Sequence, residues 1–269
     1  MQRPGSAPLD AFWEQLATAG NAALLLDYDG TLAPFHNDPA QAHPYPGVET
    51  LLDHLSRIAS DRVIIVSGRA LDHLRPLLNL QRPVEMWGSH GRERQRPDGT
   101  HQALPIPPQT RQALATIESW QPAIEALGGR LERKPSSLAF HWRGLPEARC
   151  ARLREELQDR FAGIDASAGL LWHEFNGGIE LRAAGADKGQ VIRQILAEQD
   201  ASCPHGHTLA YLGDDHTDED AFEALGNRGL GILVRTPWRP TAARHWLRPP
   251  EEMLQFLEQW LRIRNARRP

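Results

Sequence analysis

Three short apolar runs constrain the fold most: Ala22 to Leu26 before Asp27, 62–66 before Ser67, and 208–212 before Gly213-Asp214-Asp215. None alternates apolar with polar residues, so each needs cover on both faces, as a strand inside a parallel sheet does. Helical patterns lie between them. Residues 10–19 read as a leading helix, 47–59 place Val48, Leu51, Leu52, Leu55 and Ile58 at helical spacing, and 71–78 read as a helix despite Pro76. Residues 187–199, 218–225 and 251–262 read as further helices, and 84–87 and 231–234 as further strands. Strands alternating with helices predict an α/β fold with a doubly wound parallel sheet.

The middle of the chain breaks that rhythm. A proline-rich stretch, Leu104 to Pro108, reads as a linker. After it the pattern predicts a helix over 109–127, strands over 129–134 and 138–143, a helix over 146–161, and strands over 170–175 and 178–182. Asn176-Gly177-Gly178 joins the last two as a hairpin. The order αββαββ describes an α+β unit, 104–183, inserted into a core of 1–103 and 184–269.

Each long strand ends on chemistry. The first ends in Asp27-Tyr28-Asp29-Gly30-Thr31, the second in Ser67-Gly68-Arg69, and a later one in Gly213-Asp214-Asp215 with Asp218 close behind. Ligands of open parallel sheets sit beyond the carboxyl ends of the strands, so these groups can meet at one place. Carboxylates gathered there raise one another's pKa values, and a hard divalent cation such as Mg²⁺ relieves that. A turn at Gly30 brings both Asp27 and Asp29 toward a ligand, one to attack phosphorus and the other to handle protons. Taken singly, these residues also have plainer readings. Ser67 suits a helix cap, Lys188 a solvated first-turn lysine, and Asp214 to Asp220 an acidic helix start.

Taken together and in order, DxDGT at 27–31, Ser67, Lys188 and the Asp214 to Asp218 cluster resemble the four signatures of the haloacid dehalogenase (HAD) phosphotransferases. The resemblance implies a HAD-like Rossmannoid core with an α+β cap of the C2B type. It implies that Asp27 is the nucleophile forming an aspartyl-phosphate, with Asp29 as acid and base. Ser67 and Lys188 would hold the phosphoryl oxygens. Asp27, the main-chain carbonyl of Asp29, and Asp214 would bind Mg²⁺. Asp218, with Asp215, would support the metal waters or Lys188 from outside the coordination shell.

A narrower resemblance is to trehalose-phosphate phosphatases. It rests on Asp27 to Leu32 with Pro34, Val66 to Arg69, Gly88-Ser89-His90-Gly91-Arg92-Glu93, Glu132-Arg133-Lys134, His141-Trp142-Arg143, Glu180-Leu181-Arg182, and Gly213 to Phe222. It implies hydrolysis of trehalose 6-phosphate to trehalose and phosphate. Ser67, Gly68, Arg69, His90, Gly91 and Glu93 would bind substrate from the core. Glu132, Lys134, His141, Arg143, Asn176 and Glu180 would bind it from the cap. Cross-strand charge pairing on a solvated face is the plainer reading of Glu132, Lys134 and Arg143, and a packed strand histidine that of His141. The Gly177-Gly178 turn and the Ala183-Ala184 pair depart from the usual family pattern and leave room for another sugar phosphate. A phosphomutase and a sensor without turnover are the other readings. Every chemical position is retained, which disfavours the sensor.

Bulk properties exclude other classes. At 269 residues, 41% hydrophobic and 24% charged, the chain suits one large or two modest globular domains. A net charge of -4 does not suit a nucleic-acid binder. Arg262, Arg264, Arg267 and Arg268 read as a solvated helix tail. Cys150 and Cys203 form no CxxC, which argues against disulfide scaffolding or a zinc site. Neither a signal peptide nor a membrane span is expected, so the location expected is cytoplasmic. The partner the resemblance implies is a functional link to a trehalose-6-phosphate synthase.

Overall fold

The computed structural model describes residues 7–36, 38–175, 177–202 and 207–267. Two compact units result. One comprises the chain up to Ala103 and from Asp187 onward, and the other is Leu104–Ala186.

The first unit holds β1 (Asn21–Asp27), β2 (Asp61–Val66), β3 (Glu85–Gly88), β4 (Glu93–Gln95) and β5 (His101–Ala103). The second holds β6 (Arg130–Lys134), β7 (Ser137–His141), β8 (Leu170–Phe175) and β9 (Gly178–Ala183). The first unit then resumes with β10 (His207–Gly213), β11 (Leu230–Val234) and β12 (His245–Leu247). Its sheet runs β12-β11-β10-β1-β2-β3-β4-β5, parallel from β12 to β3 and antiparallel at β4 and β5. The chain leaves β1 toward β2 on one side, and β10 fills the other. That reversal of strand order makes the crevice beyond β1 and β10 the place for a ligand. The three-residue strands β4, β5 and β12 were not expected, because they are too short to show a periodicity.

Alternate residues of β1 enter different cores. Ala22, Leu24 and Leu26 pack with α1 (Ala7–Thr18), α2 (Val48–Leu55) and the carboxyl-terminal helix. Ala23 and Leu25 face the opposite helical layer. Of the expected helices, 47–59 is shorter and 71–78 breaks. Leu71–Leu74 is α-helical (α3) and Arg75–Leu77 tightens to a 3₁₀ turn, because Pro76 has no N–H and fits only a first turn.

In the second unit the helix expected over 109–127 divides into α4 (Pro108–Glu118) and α5 (Gln121–Ala126), with Pro122 in the first turn of the second piece. α6 (Glu147–Ala162) follows β7. The sheet order is β6-β7-β9-β8, antiparallel throughout. Leu138, Phe140, Ile179 and Leu181 turn to the helices. Ala139, His141, Glu180 and Arg182 therefore share the other face.

The first unit is completed by α7 (Lys188–Ser202), α8 (Glu219–Leu225) and α9 (Glu251–Ala266). Arg94 on β4 bonds Glu85 of β3 at 2.8 Å and Glu198 of α7 at 2.6 Å, which fixes the helix that begins with Lys188.

The solvated tail expected at the carboxyl terminus is corrected at one position. Arg264 is buried, on the same stripe of α9 as Met253, Leu257 and Trp260. Its guanidinium pairs with buried Asp61 at 2.6 Å. It also donates to the carbonyls of Leu16, Ala19 and Gly20 and to Ser60 Oγ, closing the end of α1. Arg268 lies outside the described residues, as does Cys203. No described helix is long and apolar enough to cross a membrane.

Removing Arg264 strands the Asp61 charge and several carbonyls. Arg264→Ala is expected to cost about 3–5 kcal/mol, the usual cost of breaking a buried pair, and to lower the thermal midpoint accordingly. A loss under about 1 kcal/mol in denaturant melts would contradict this reading of the contact.

Candidate active site

The site is built where β1, β2 and β10 end side by side. Asp27 pairs in register with Val66, and Leu26 with Leu212, so Ser67 and Gly213 follow one step later on either side. After Asp27 the chain doubles back tightly: the amides of Leu32 and Ala33 donate to the Tyr28 carbonyl, and that of Gly30 to Ala33. Gly30 has φ +85°, and a Cβ there would lie 2.2 Å from Asp214 Oδ2. Both the left-handed backbone and the approach of Asp214 therefore require glycine.

Lys188 is buried at the start of α7 and bonds Asp27 Oδ1 at 2.6 Å and Asp218 Oδ1 at 2.7 Å. It is not the solvated lysine of the plainer reading. Burial opposes its charge, but Asp218 and Asp27 outweigh that and hold the ammonium well above its ordinary pKa. Thr31 Oγ1 donates to Asp27 Oδ2 at 3.1 Å. Asp218 is occupied on both oxygens. Oδ1 also accepts the Tyr211 hydroxyl at 2.5 Å, and Oδ2 accepts the amides of Asp214 at 3.0 Å and Asp215 at 2.9 Å. Asp218 thus caps the turn into α8, as the plainer reading has it, and also braces Lys188. Tyr211 was missed in the sequence because it sits inside an apolar strand run, where an aromatic reads as core.

Asp27, Asp214 and Asp218 each place an oxygen within 4.8 Å of the others, all three residues being buried. The crowding shows in their acidities. Burial, helped by Asp218 and Asp29, pushes Asp27 up to about 7 against the pull of Lys188. Burial, followed by Asp27, Asp218 and Asp215, pushes Asp214 well above the usual carboxylate range. One lysine does not balance three carboxylates, so the donor set fits a hard divalent cation. Asp218 carries four hydrogen bonds against two on Asp27, so Asp27 and Asp214 are the side chains best able to hold one.

Arg69 meets Asp29 side-on, with Nε on Oδ2 and Nη2 on Oδ1, both at 2.6 Å, and its Nη1 donates to the Pro39 carbonyl. Ser67 Oγ accepts the Arg69 amide at 3.1 Å. Gly68 lies beneath the His90 ring, where a Cβ would come within 2.6 Å of it. Ser89 and His90 both adopt positive φ, 50° and 58°. Their amides donate to the carbonyls of Arg69 and Ser67, which locks this strained loop onto the Ser67 turn. Gly91 packs against α7, with Val191 Cγ2 2.6 Å from where its Cβ would be. Glu93 is committed internally, accepting from Ser89 Oγ and from the Leu71 amide.

In the second unit Glu132, Ala139, Glu180 and His173 stand in one row across the sheet. Glu132 accepts from His141 Nε2 at 2.7 Å, and that bond is the largest cause of its lowered pKa. Glu180 accepts from Lys134 Nζ at 3.0 Å and Ser137 Oγ at 2.5 Å. Arg143 lies past the end of β7 against Gly177. Asn176 lies outside the described residues. His173, unmarked by any motif, joins this face through strand register alone.

An acid whose pKa is raised by folding binds its proton more tightly in the folded state, so stability falls as pH rises from its unfolded value through its folded one. For Asp27 that window runs from 3.8 to about 7. A divalent cation on the same carboxylates removes the penalty. The rise in melting temperature on adding one is expected to be larger at about pH 8 than at about pH 5.5. Equal rises at both would contradict the account.

Against known proteins, the family model described as trehalose-phosphatase matches residues 25–246. A maize trehalose 6-phosphate phosphatase is 30% identical over 272 aligned residues, covering 91% of this chain and 71% of that protein. A bifunctional trehalose-6-phosphate synthase/phosphatase from Thermoproteus tenax is 32% identical over 93% of this chain, which spans 33% of its length. Among solved structures, the carboxyl-terminal domain of the C. albicans trehalose-6-phosphate phosphatase superposes with a TM-score of 0.73 at 22% identity, over 98% of each chain. The expected doubly wound HAD-like core with an α+β unit is the fold found. With its acidic cluster at the switch point and a family match spanning most of its length, this chain belongs to the trehalose-phosphatase family.

Proposed function

We propose that this protein hydrolyses trehalose 6-phosphate to trehalose and phosphate through an aspartyl-phosphate on Asp27, with Mg²⁺ as its metal. The observation that carries this reading is the buried set of Asp27, Lys188, Asp218 and Asp214 at the switch point of the sheet. Mg²⁺ would be held by Asp27, Asp214 and the main-chain carbonyl of Asp29. When bound, it supplies positive charge against the phosphoryl oxygens and makes ionised Asp27 available.

The remaining work falls to the chain. Asp27 attacks phosphorus, forming an Oδ–P bond as the P–O bond to the sugar breaks. Lys188 screens the incoming phosphate from the carboxylates, and Asp218 with Tyr211 fixes its ammonium in place. Ser67 and the 67–69 turn receive the phosphoryl oxygens. Asp29, protonated from solvent once free, gives that proton to the leaving sugar oxygen, then takes one from the water that attacks phosphorus as the Asp27 Oδ–P bond breaks and phosphate leaves. To do so it must leave Arg69, which holds both its oxygens. An anionic substrate competes for the same guanidinium and so favours that release.

Sugar recognition is assigned to Glu132, Lys134, Glu180 and His141, with Arg143 and Asn176. His90, Gly91 and Glu93 shape the loop beside Ser67. The carboxylates and the ammonium suit an uncharged disaccharide rich in hydroxyls. The cytoplasmic location and the link to a synthase are part of this proposal.

Asp27→Asn is expected to abolish phosphate release, by at least the ~10⁴-fold typical of a lost nucleophile, with an unchanged circular dichroism spectrum. Turnover near the wild-type rate would overturn the mechanism. Glu180→Ala is expected to lower kcat/KM for trehalose 6-phosphate by about 10–100-fold, consistent with loss of a charged hydrogen bond, while sparing a small aryl phosphate. Equal losses on both substrates would assign Glu180 to structure, and equal wild-type rates on sucrose phosphate would remove the claim for trehalose.

A further inference from the structure

Arg239 lies between β11 and β12 and reaches back to the acidic loop after β10. Its Nη2 donates to the main-chain carbonyl of Asp215 at 2.8 Å and approaches that of Asp214 at 3.5 Å. Arg235 Nη1 adds a contact to the Asp214 carbonyl at 3.3 Å. The other arm of Arg239, Nη1, pairs with Glu219 and donates to the Pro240 carbonyl at 3.0 Å. Glu219 is itself fixed by Thr241 Oγ1 at 2.8 Å and the Ala242 amide at 2.7 Å.

From the other side, Asp218 Oδ2 holds the amides of Asp214 and Asp215. Two consecutive residues, Asp214 and Asp215, are therefore held by a carboxylate at their N–H groups and by a guanidinium at their C=O groups. The grip has a load to bear. Before a cation arrives, Asp214 is pressed against Asp27 and Asp218, and like-charge repulsion favours swinging its backbone away. A planar fork suits the task, since it bonds a carboxylate with one nitrogen and carbonyls with another. Glu219 compensates the Arg239 guanidinium, so Arg239 itself adds no net positive charge behind the site.

We infer that Arg239, fixed and compensated by Glu219, is a positioning residue that holds the Asp214–Asp215 backbone in its metal-binding conformation and so sets the affinity of the site for a divalent cation. This rests on the metal-dependent reading given above. Residues that orient metal ligands from behind change affinity by about 10–100-fold when removed.

The test is calorimetric titration of Mg²⁺ into metal-free wild type, Arg239→Ala and Arg239→Lys, with kcat measured at saturating Mg²⁺. The Mg²⁺ dissociation constant is expected to rise about 10–100-fold in Arg239→Ala and by less in Arg239→Lys, with kcat at saturating metal close to wild type. An unchanged dissociation constant in the folded variants would overturn the inference, as would a lost kcat with an unchanged dissociation constant. If Arg239→Ala does not fold, Arg239→Lys decides by the same criterion. Failure of the wild type to take up Mg²⁺ would instead overturn the metal-dependent reading, and this inference with it.

Discussion

Asp27, Asp214 and Asp218 are packed within 4.8 Å of one another beneath a single lysine, and much of the surrounding structure serves to keep them there. Left to themselves, buried carboxylates this close would protonate or move apart. Lys188 takes part of the load on Asp27 and Asp218, and Tyr211 donates to Asp218 from inside the strand. Gly30 is needed because any side chain there would occupy the place of the Asp214 carboxylate. The Arg94 contacts with Glu85 and Glu198 fix the helix that presents the lysine, and Arg239 backs the loop that presents Asp214.

The same crowding links stability to chemistry. A site that is repulsive when empty and settled when a cation is present is ready to bind metal and phosphate, two groups of opposite charge. Asp29 stands apart, paired with Arg69 beside the cluster. The proposed nucleophile and the proposed acid–base group thus start in different environments, one buried among carboxylates and one held by a guanidinium. Two carboxylates a single residue apart are suited in this way to different tasks.

Much of this was legible in the sequence, for particular reasons. β1, β2 and β10 announced themselves because strands covered on both faces are apolar throughout, and their ends marked the site because open parallel sheets place ligands beyond the carboxyl ends of their strands. What stayed hidden depended on three dimensions. Arg264 looked like one more charge on a fraying tail, although its spacing from Met253, Leu257 and Trp260 put it on the buried stripe of α9. Tyr211 looked like core, and its hydroxyl bond is set by a residue seven positions later. His173 met Glu180 only through register across a hairpin, and Arg239 met Asp215 only through the return of a loop. The breaks at Pro76 and within 109–127 show an apolar pattern continuing where the backbone does not.

The central claim is that Asp27 carries the phosphoryl group between sugar and water. Rapid acid quenching during turnover of trehalose 6-phosphate, followed by mass mapping of peptides, tests it most directly. The account predicts phosphate on the peptide containing Asp27 at quench times shorter than one turnover, and on no other acidic peptide. Trehalose released within the first turnover while that peptide stays unmodified would contradict it.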